Sequence, residues 1–385
     1  MEALSGPPAT ASKLFLKVFA MEVGIGLDST LGLSLQQEAS ISEEAARLGY
    51  TSVWTPSTSA LDPFHLCTYR WSATRAVVPE GLATGISVMP VLADGGVSPA
   101  YLQNPVGLAA RARTAGYLTG GRFILGIGTG GIYRAEVRRA LGVARLSALA
   151  VMRDYLVVLR ALLAGETVTH DGAAWRVRGA RLSEIRVDGP PPPPAPVYLA
   201  ALGPEMLRLA GELADGVALN WCSPEQTAWS RQRIAEGAAR AARDPALIKV
   251  IDYIRVCVDD DEDVARRAFG RAVLQYALGP RVPSPQERRL GYRAHFERMG
   301  FADTLAELDR LREQGAPPDD LVDAVPRDLL MRVGYYGRPD GAAEAVRRLS
   351  QGLDTAIVRV VAARPGVESV RAVMRACQPH LVLPA

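Results

Sequence analysis

Short β-rich runs alternate with amphipathic helical runs along almost the whole chain, and this alternation restricts the fold more than any other feature. The strand runs are residues 21–27 (MEVGIGL), 51–54 (TSVW), 81–89 (GLATGISVM), 122–127 (RFILGI), 197–201, 216–220 (GVALN), 249–258 and 355–361. Between them lie helical runs at 34–48, 62–76, 105–118, 145–163, 204–213, 224–241, 341–349 and 366–376. Their ends carry ordinary stop and start signals: Gly49 after the first, Asp62-Pro63 opening the second, Gly120-Gly121 after the third. Strands that each need a helix-length connection run parallel. Eight such units predict an α/β protein folded as a (β/α)8 TIM barrel, with an open doubly wound sheet as the alternative. In a barrel, reacting groups sit at the C-terminal ends of the strands.

Three stretches break the rhythm. Residues 170–178 read as a small hairpin, and residues 190–196, rich in proline, as an extended connector. Residues 261–336 are helical and irregular, with no good strand. They predict an insertion between strands seven and eight that lies over the barrel mouth as a lid. The length of 385 residues suggests two domains by size alone, but a barrel accommodates it as one. The expected organisation is a single barrel domain over 21–385, preceded by an extension at 1–20. Lys13, Lys17 and Lys249 are the only lysines, and two of them precede Met21. That skew is either chance or the mark of an upstream start.

Composition narrows the function. Hydrophobic residues make up 48% and charged residues 22%, which suffices for a large core. A net charge of +3 and 6% aromatic residues argue against a nucleic-acid partner. A mean hydropathy of +0.06 without a long apolar run argues against a membrane span. Cys67, Cys222, Cys257 and Cys377 stand singly, as expected of a protein of the reducing cytoplasm. His65, His170, His295 and His380 are equally scattered, so no metal site is expected.

Several local patterns are candidates for chemistry. Residues 126–131 match GxGxxG after a strand. A dinucleotide fold would place that motif after the first strand, with an acidic strand end about 20 residues on. Neither holds. A tight turn remains possible, and so does a glycine loop, Gly128, Thr129 and Gly130, that lets backbone approach a flat cofactor. Ala201, Leu202, Gly203, Pro204, Glu205 and Met206 form a strand end, a turn and a helix start. Free amides there favour an anion such as phosphate, unless this is an ordinary turn. Asp62 is either a helix cap or a catalytic acid. His65, inside the same helix, reads as structural, and Asp28 as a solvated loop residue. Tyr133 and Arg134 follow the glycine loop. Asn220 and Trp221 end the sixth strand, where Trp221 either packs under the lid or lines the substrate pocket.

Five stretches, taken in order and spacing, resemble the bacterial luciferase-like superfamily and, within it, oxidoreductases that use the deazaflavin coenzyme F420. They are 43–54 (EEAARLGYTSVW), 61–64 (LDPF), 116–130 (GYLTGGRFILGIGTG), 197–206 (VYLAALGPEM) and 214–221 (ADGVALNW). The resemblance implies the same barrel with an insertion before the last strand. It also implies a non-proline cis peptide at Ser87-Val88, forming a bulge behind the deazaflavin ring. The 126–130 loop would lie beside ring and ribityl chain, and the 202–206 turn would take the phosphate. Some relatives carry Asp-His after the second strand. This chain reads Thr55-Pro56-Ser57-Thr58 there. An imidazole acid is therefore missing at that place, and Thr58 becomes the expected polar contact to the ring.

The function expected from these readings is hydride transfer between C5 of F420 and an organic substrate, in secondary or specialised metabolism. The alternatives are an FMN-dependent luciferase-like monooxygenase and a barrel that only binds a ligand. Expected partners are a small-molecule or natural-product substrate and a second copy of the chain.

Overall fold

The computed structural model describes residues 21–57, 61–92, 103–140, 142, 146–279 and 284–383. Eight parallel strands close into a barrel with helices around it. In chain order the strands are β1 (Glu22–Gly26), β2 (Ser52–Thr55), β3 (Ala83–Pro90), β4 (Phe123–Gly128), β5 (Val168–Asp171), β6 (Arg176–Ala180), β7 (Val197–Ala200), β8 (Gly216–Asn220), β9 (Lys249–Val258), β10 (Gly334–Gly337) and β11 (Thr355–Val360). The barrel runs β1-β2-β3-β4-β7-β8-β9-β11 and returns to β1. β5 and β6 are the expected hairpin, antiparallel and outside the barrel. The hairpin is anchored by buried Asp154, which accepts from His170 Nε2 at 2.9 Å and from the Ala174 amide at 2.7 Å.

Helix boundaries follow from caps. Ser34 and Gln37 form a capping box for Leu35–Arg47. Asp62 caps Pro63–Thr74 and Asn104 caps Pro105–Leu118, each with proline at the first helical position. The helix expected from residue 145 starts at Ala148, where Ser147 supplies the cap.

The barrel interior is filled by a few large side chains set against glycines. Trp54, Tyr198, Ile251, Tyr253 and Ile357 pack together there. A Cβ on Gly85 would stand 2.4 Å from the Trp54 ring, and one on Gly216 2.6 Å from the Tyr198 ring. Larger residues at these two positions would displace the aromatic groups that close the floor.

One expectation needs correction. The stretch 261–336 does contain a strand, since β10 pairs in parallel with the upper half of β9, from Gly334↔Arg255 to Gly337↔Val258. β8 stops pairing with β9 at Asn220↔Tyr253. The last residues of β9 would otherwise present an open edge, and β10 covers it. Four residues reading GYYG between helices give no alternation from which to recognise a strand. The rest of the insertion is helical and builds a second apolar cluster around Phe269, Phe296, Phe301, Leu305, Leu329 and Leu330.

Candidate active site

The arc formed by β3, β4 and β7 carries most of the residues singled out from sequence. Ser87-Val88 is a non-proline cis peptide, as the resemblance implies. The β3–β4 register slips between Ile86 and Met89, so the strand bulges there. The Ser57 amide donates to the Val88 carbonyl at 3.3 Å, tying the loop after β2 to the bulge. Ser87 is buried and Val88 half-buried toward the barrel interior.

The glycines after β4 are explained by this bulge. A Cβ on Gly126 would stand 2.3 Å from the Ile86 carbonyl oxygen. On Gly128 it would stand 2.9 Å from Val88 Cγ2 and 3.2 Å from Ala200 Cβ. Gly130 has φ +58 and faces the Leu92 carbonyl. Their missing side chains therefore make room for β3, a tighter constraint than the approach of a cofactor. Val88, Gly128 and Ala200 end up side by side. Thr129 is half-buried beside them.

Beyond β7, Ala201 is buried and its amide donates to the Ala218 carbonyl at 3.3 Å. Gly203 is the cap of Pro204–Leu213 and supplies no side-chain oxygen. A Cβ on Gly203 would meet nothing within 4 Å. The first-turn amides of Glu205 and Met206 have no partner within the helix, and Leu202, Gly203 and Met206 are half-buried. Open space beside uncapped amides suits an anionic group. Arg298 of the insertion reaches the same turn, donating to the Leu202 carbonyl at 2.9 Å.

Two of the three expected catalytic residues are occupied otherwise. Asp62 Oδ1 accepts from the Phe64 and His65 amides at 3.0 and 3.1 Å and lies 2.9 Å from His65 Nδ1. Its other oxygen is paired with Arg111. Both oxygens are thus engaged in capping the helix and pairing with Arg111. Trp221 is fully buried under the insertion, against Phe269, Tyr276 and Phe296, with φ +59. It packs under the insertion. Thr58 lies outside the described residues.

The arc from β8 through β9 and β11 to β1 holds residues that sequence reasoning missed or read otherwise. Tyr253 is 5% exposed, and its hydroxyl faces the Ser87 side chain, the one side-chain partner it has among the described residues. Burial pushes its pKa above the ordinary phenol value. Arg359 lies over the Tyr253 ring at 4.9 Å and is paired with Asp28, so Asp28 is a half-buried counter-ion rather than a solvated loop residue. Arg255 Nη1 donates to Asn220 Oδ1 at 2.6 Å, and Asn220 Nδ2 to the Tyr292 hydroxyl at 2.6 Å. The signal was present in the sequence: an arginine inside an otherwise apolar strand, at 255 and again at 359. Neither belongs to a recognisable motif.

Among the described residues no group of three metal-ligating side chains occurs, and no helix is long and apolar enough to cross a membrane. The four cysteines are buried. Burial pushes the Cys67 thiol up to about 11 and Cys257 up to about 12, so neither is an activated nucleophile.

Comparison with known proteins agrees with this architecture. The family model described as luciferase-like monooxygenase matches residues 95–356. A 5,10-methylenetetrahydromethanopterin reductase of Archaeoglobus fulgidus is 29% identical over 274 residues, covering 70% of this chain and 76% of the relative. An F420-dependent glucose-6-phosphate dehydrogenase of Mycolicibacterium smegmatis is 31% identical over 210 residues, 53% of this chain and 57% of the relative. The solved coenzyme F420-dependent tetrahydromethanopterin reductase of Methanopyrus kandleri shares the fold. Its TM-score is 0.70 at 20% identity, over 94% of this chain and 99% of that one. With its barrel order, its bulged third strand and the extent of this match, the chain belongs to the luciferase-like family of oxidoreductases.

Proposed function

We propose that the protein is an F420-dependent oxidoreductase that moves a hydride between the deazaflavin C5 and a small organic substrate. The observation that carries this reading is the cis Ser87-Val88 bulge, set beside Gly128 and facing the same mouth as the uncapped 202–206 turn. The bulge suits a flat ring lying against backbone, and the turn suits a phosphate. The F420-dependent activity named for the glucose-6-phosphate dehydrogenase relative supports the choice of cofactor. When bound, the deazaflavin would supply the hydride-carrying centre. The protein would bind it through Leu202–Met206, back its ring with Ser87-Val88, and flank it with Gly128–Gly130. Catalysis would then be mainly positioning and exclusion of water under the insertion.

Proton transfer falls to a residue that the sequence reading did not identify. With Asp62 committed to its helix, we take the buried Tyr253 hydroxyl, which faces Ser87, as the group that holds or gives a proton at the barrel floor. A Tyr253→Phe variant should keep cofactor affinity and lose turnover by about 10²-fold or more. Unchanged turnover would remove the tyrosine from the mechanism.

Because the family model is one of monooxygenases, FMN is the second cofactor to test. Fluorescence titration of the pure protein with F420 and with FMN separates the readings. Micromolar FMN binding without F420 binding would overturn the proposal. Binding of neither would leave a barrel that only holds a ligand.

A further inference from the structure

Neither packing nor hydride transfer accounts for Arg255. Its side chain is buried, with the residue only 4% exposed, near the upper end of β9. The guanidinium carbon stands 3.8 Å from the centre of the Trp221 ring and 4.9 Å from that of Tyr276. Among the described residues its one hydrogen-bond partner is the neutral Asn220 amide oxygen, and Asn220 in turn bonds Tyr292.

Of the other buried arginines, Arg138 donates to the Ile132 carbonyl at 2.7 Å, and three are paired with carboxylates. Arg70 is paired with Glu38, Arg293 with Glu297 and Asp309, and Arg359 with Asp28. Among the described residues no carboxylate lies within ion-pair distance of Arg255. Asp252, three residues away on the same strand, is within electrostatic reach of Arg255 but makes no ion pair with it: Ile251 and Tyr253 face the barrel interior, side chains alternate, and burial keeps the Asp252 carboxyl from being a full counter-charge. A buried cation without a counter-charge is costly, and two aromatic faces offset only part of that cost. Asn220, Tyr276 and Tyr292, which surround it, are half-buried.

Position around the barrel gives the missing charge a place. β9 is diametrically opposite β3: β4, β7 and β8 separate them on one side, and β2, β1 and β11 on the other. A ring lying against the bulge, above the Ser87–Tyr253 contact, turns its free face toward Arg255, two residues above Tyr253 on the same face of β9. The phosphate turn after β7 lies on the cofactor's arc, so Arg255 is left for the second ligand.

We propose that Arg255 anchors an anion-binding subsite, and that the substrate is a small organic acid whose carboxylate or phosphate meets the guanidinium. The position assigned to the substrate rests on the cofactor reading above. The planar fork takes two oxygens at once and fixes the angle at which the rest of the molecule lies over the ring. Asn220 and the two aromatic rings hold the fork, and Tyr253 waits beneath it.

The test uses the full chain, with and without F420, and paired probes: benzoate, cinnamate and phenyl phosphate against methyl benzoate, methyl cinnamate and phenol. Isothermal titration should show the acids binding and the neutral partners not, and the carboxylate and phosphate arms tell which anion is preferred. Arg255→Gln should weaken acid binding by about tenfold or more, and Arg255→Lys less, because a lysine keeps the charge without the fork. F420 affinity should be unchanged in both. The melting temperature of Arg255→Gln should stay level or rise, because a structural arginine would lower it. Asn220→Ala should weaken acid binding with Arg255 still present. Esters binding as tightly as acids, no acid binding, or undiminished acid binding by Arg255→Gln would each overturn the subsite. Acid binding that depends on Arg255 in a protein that does not take F420 would uphold the subsite and overturn the cofactor reading.

Discussion

Single residues decide several local questions. Arg70 is fully buried beneath the end of β2, with Nε and Nη2 at 2.9 and 2.6 Å from Glu38 Oε2. Such a pair contributes little relative to an apolar replacement, but removing one partner strands a charge. Glu38→Ala should therefore cost about 3–5 kcal/mol in urea unfolding. A loss below about 1 kcal/mol would mean that the pair is solvated as an exposed one is. Residue-scale legibility was uneven. Ser87-Val88, Gly128 and Gly203 were found because each belongs to a stretch with a recognisable pattern. Arg255, Tyr253 and Arg359 were not, because their partners come from other strands. A one-dimensional pattern carries no sign of whether an arginine meets a carboxylate.

At the scale of elements, two variants separate binding from folding. Gly203 caps a helix with φ −88, and a side chain there meets open space. Aspartate is a better cap than glycine by a few tenths to about 1 kcal/mol, so Gly203→Asp should raise the melting temperature slightly. The same carboxylate would repel a phosphate at that turn. Loss of F420 affinity with a stable protein is expected, and unchanged affinity would remove the turn from the site. The insertion gives the second test. Trp221 joins β8 to the helical cluster around Phe269 and Phe296. Trp221→Ala should cost about 3–5 kcal/mol and open the insertion to proteolysis before the barrel melts. One cooperative transition with unchanged proteolysis would show that the cluster does not depend on this ring. The caps were legible from sequence because a cap is a contact over three residues. β10 was not, because its strand character comes entirely from the free edge of β9.

For the whole molecule, stability against pH tests the outer layer of the barrel. Asp252 is buried, and burial pushes its carboxyl up to about 7, with Arg255 opposing more weakly. The folded state therefore holds a proton that the unfolded chain releases near pH 4. This contribution is full at low pH and is lost as pH rises toward 7. His295, buried behind the same strands with Nε2 2.9 Å from the Trp221 carbonyl, has its pKa lowered by burial to about 4. Its contribution has the opposite sign: stability is lost as pH falls from about 6.5 toward 4. The two slopes partly cancel in the native protein. In Asp252→Asn the melting temperature should rise more steeply between pH 4 and 7 than in the parent. Parallel curves would place Asp252 in contact with water.

The sequence by itself determined the class of fold, the order of its strands and most helix ends. Hydrophobic periodicity, glycine, proline and capping residues act over a few neighbours, and those interactions are written in adjacent letters. It also carried the glycine turn that opens the helix at Pro204, a local contact, while the bulge at Ser87-Val88 was legible only through the family resemblance. Only the tertiary structure decided which side chains face the mouth together. It bound Asp62 into its helix with Arg111, put Trp221 under the insertion, paired Asp28 with Arg359, and left Arg255 without a carboxylate. Charge pairing and burial depend on strands that meet only when the barrel closes, β11 against β1 more than 300 residues apart in the chain. The chemistry of the mouth is set by that closure.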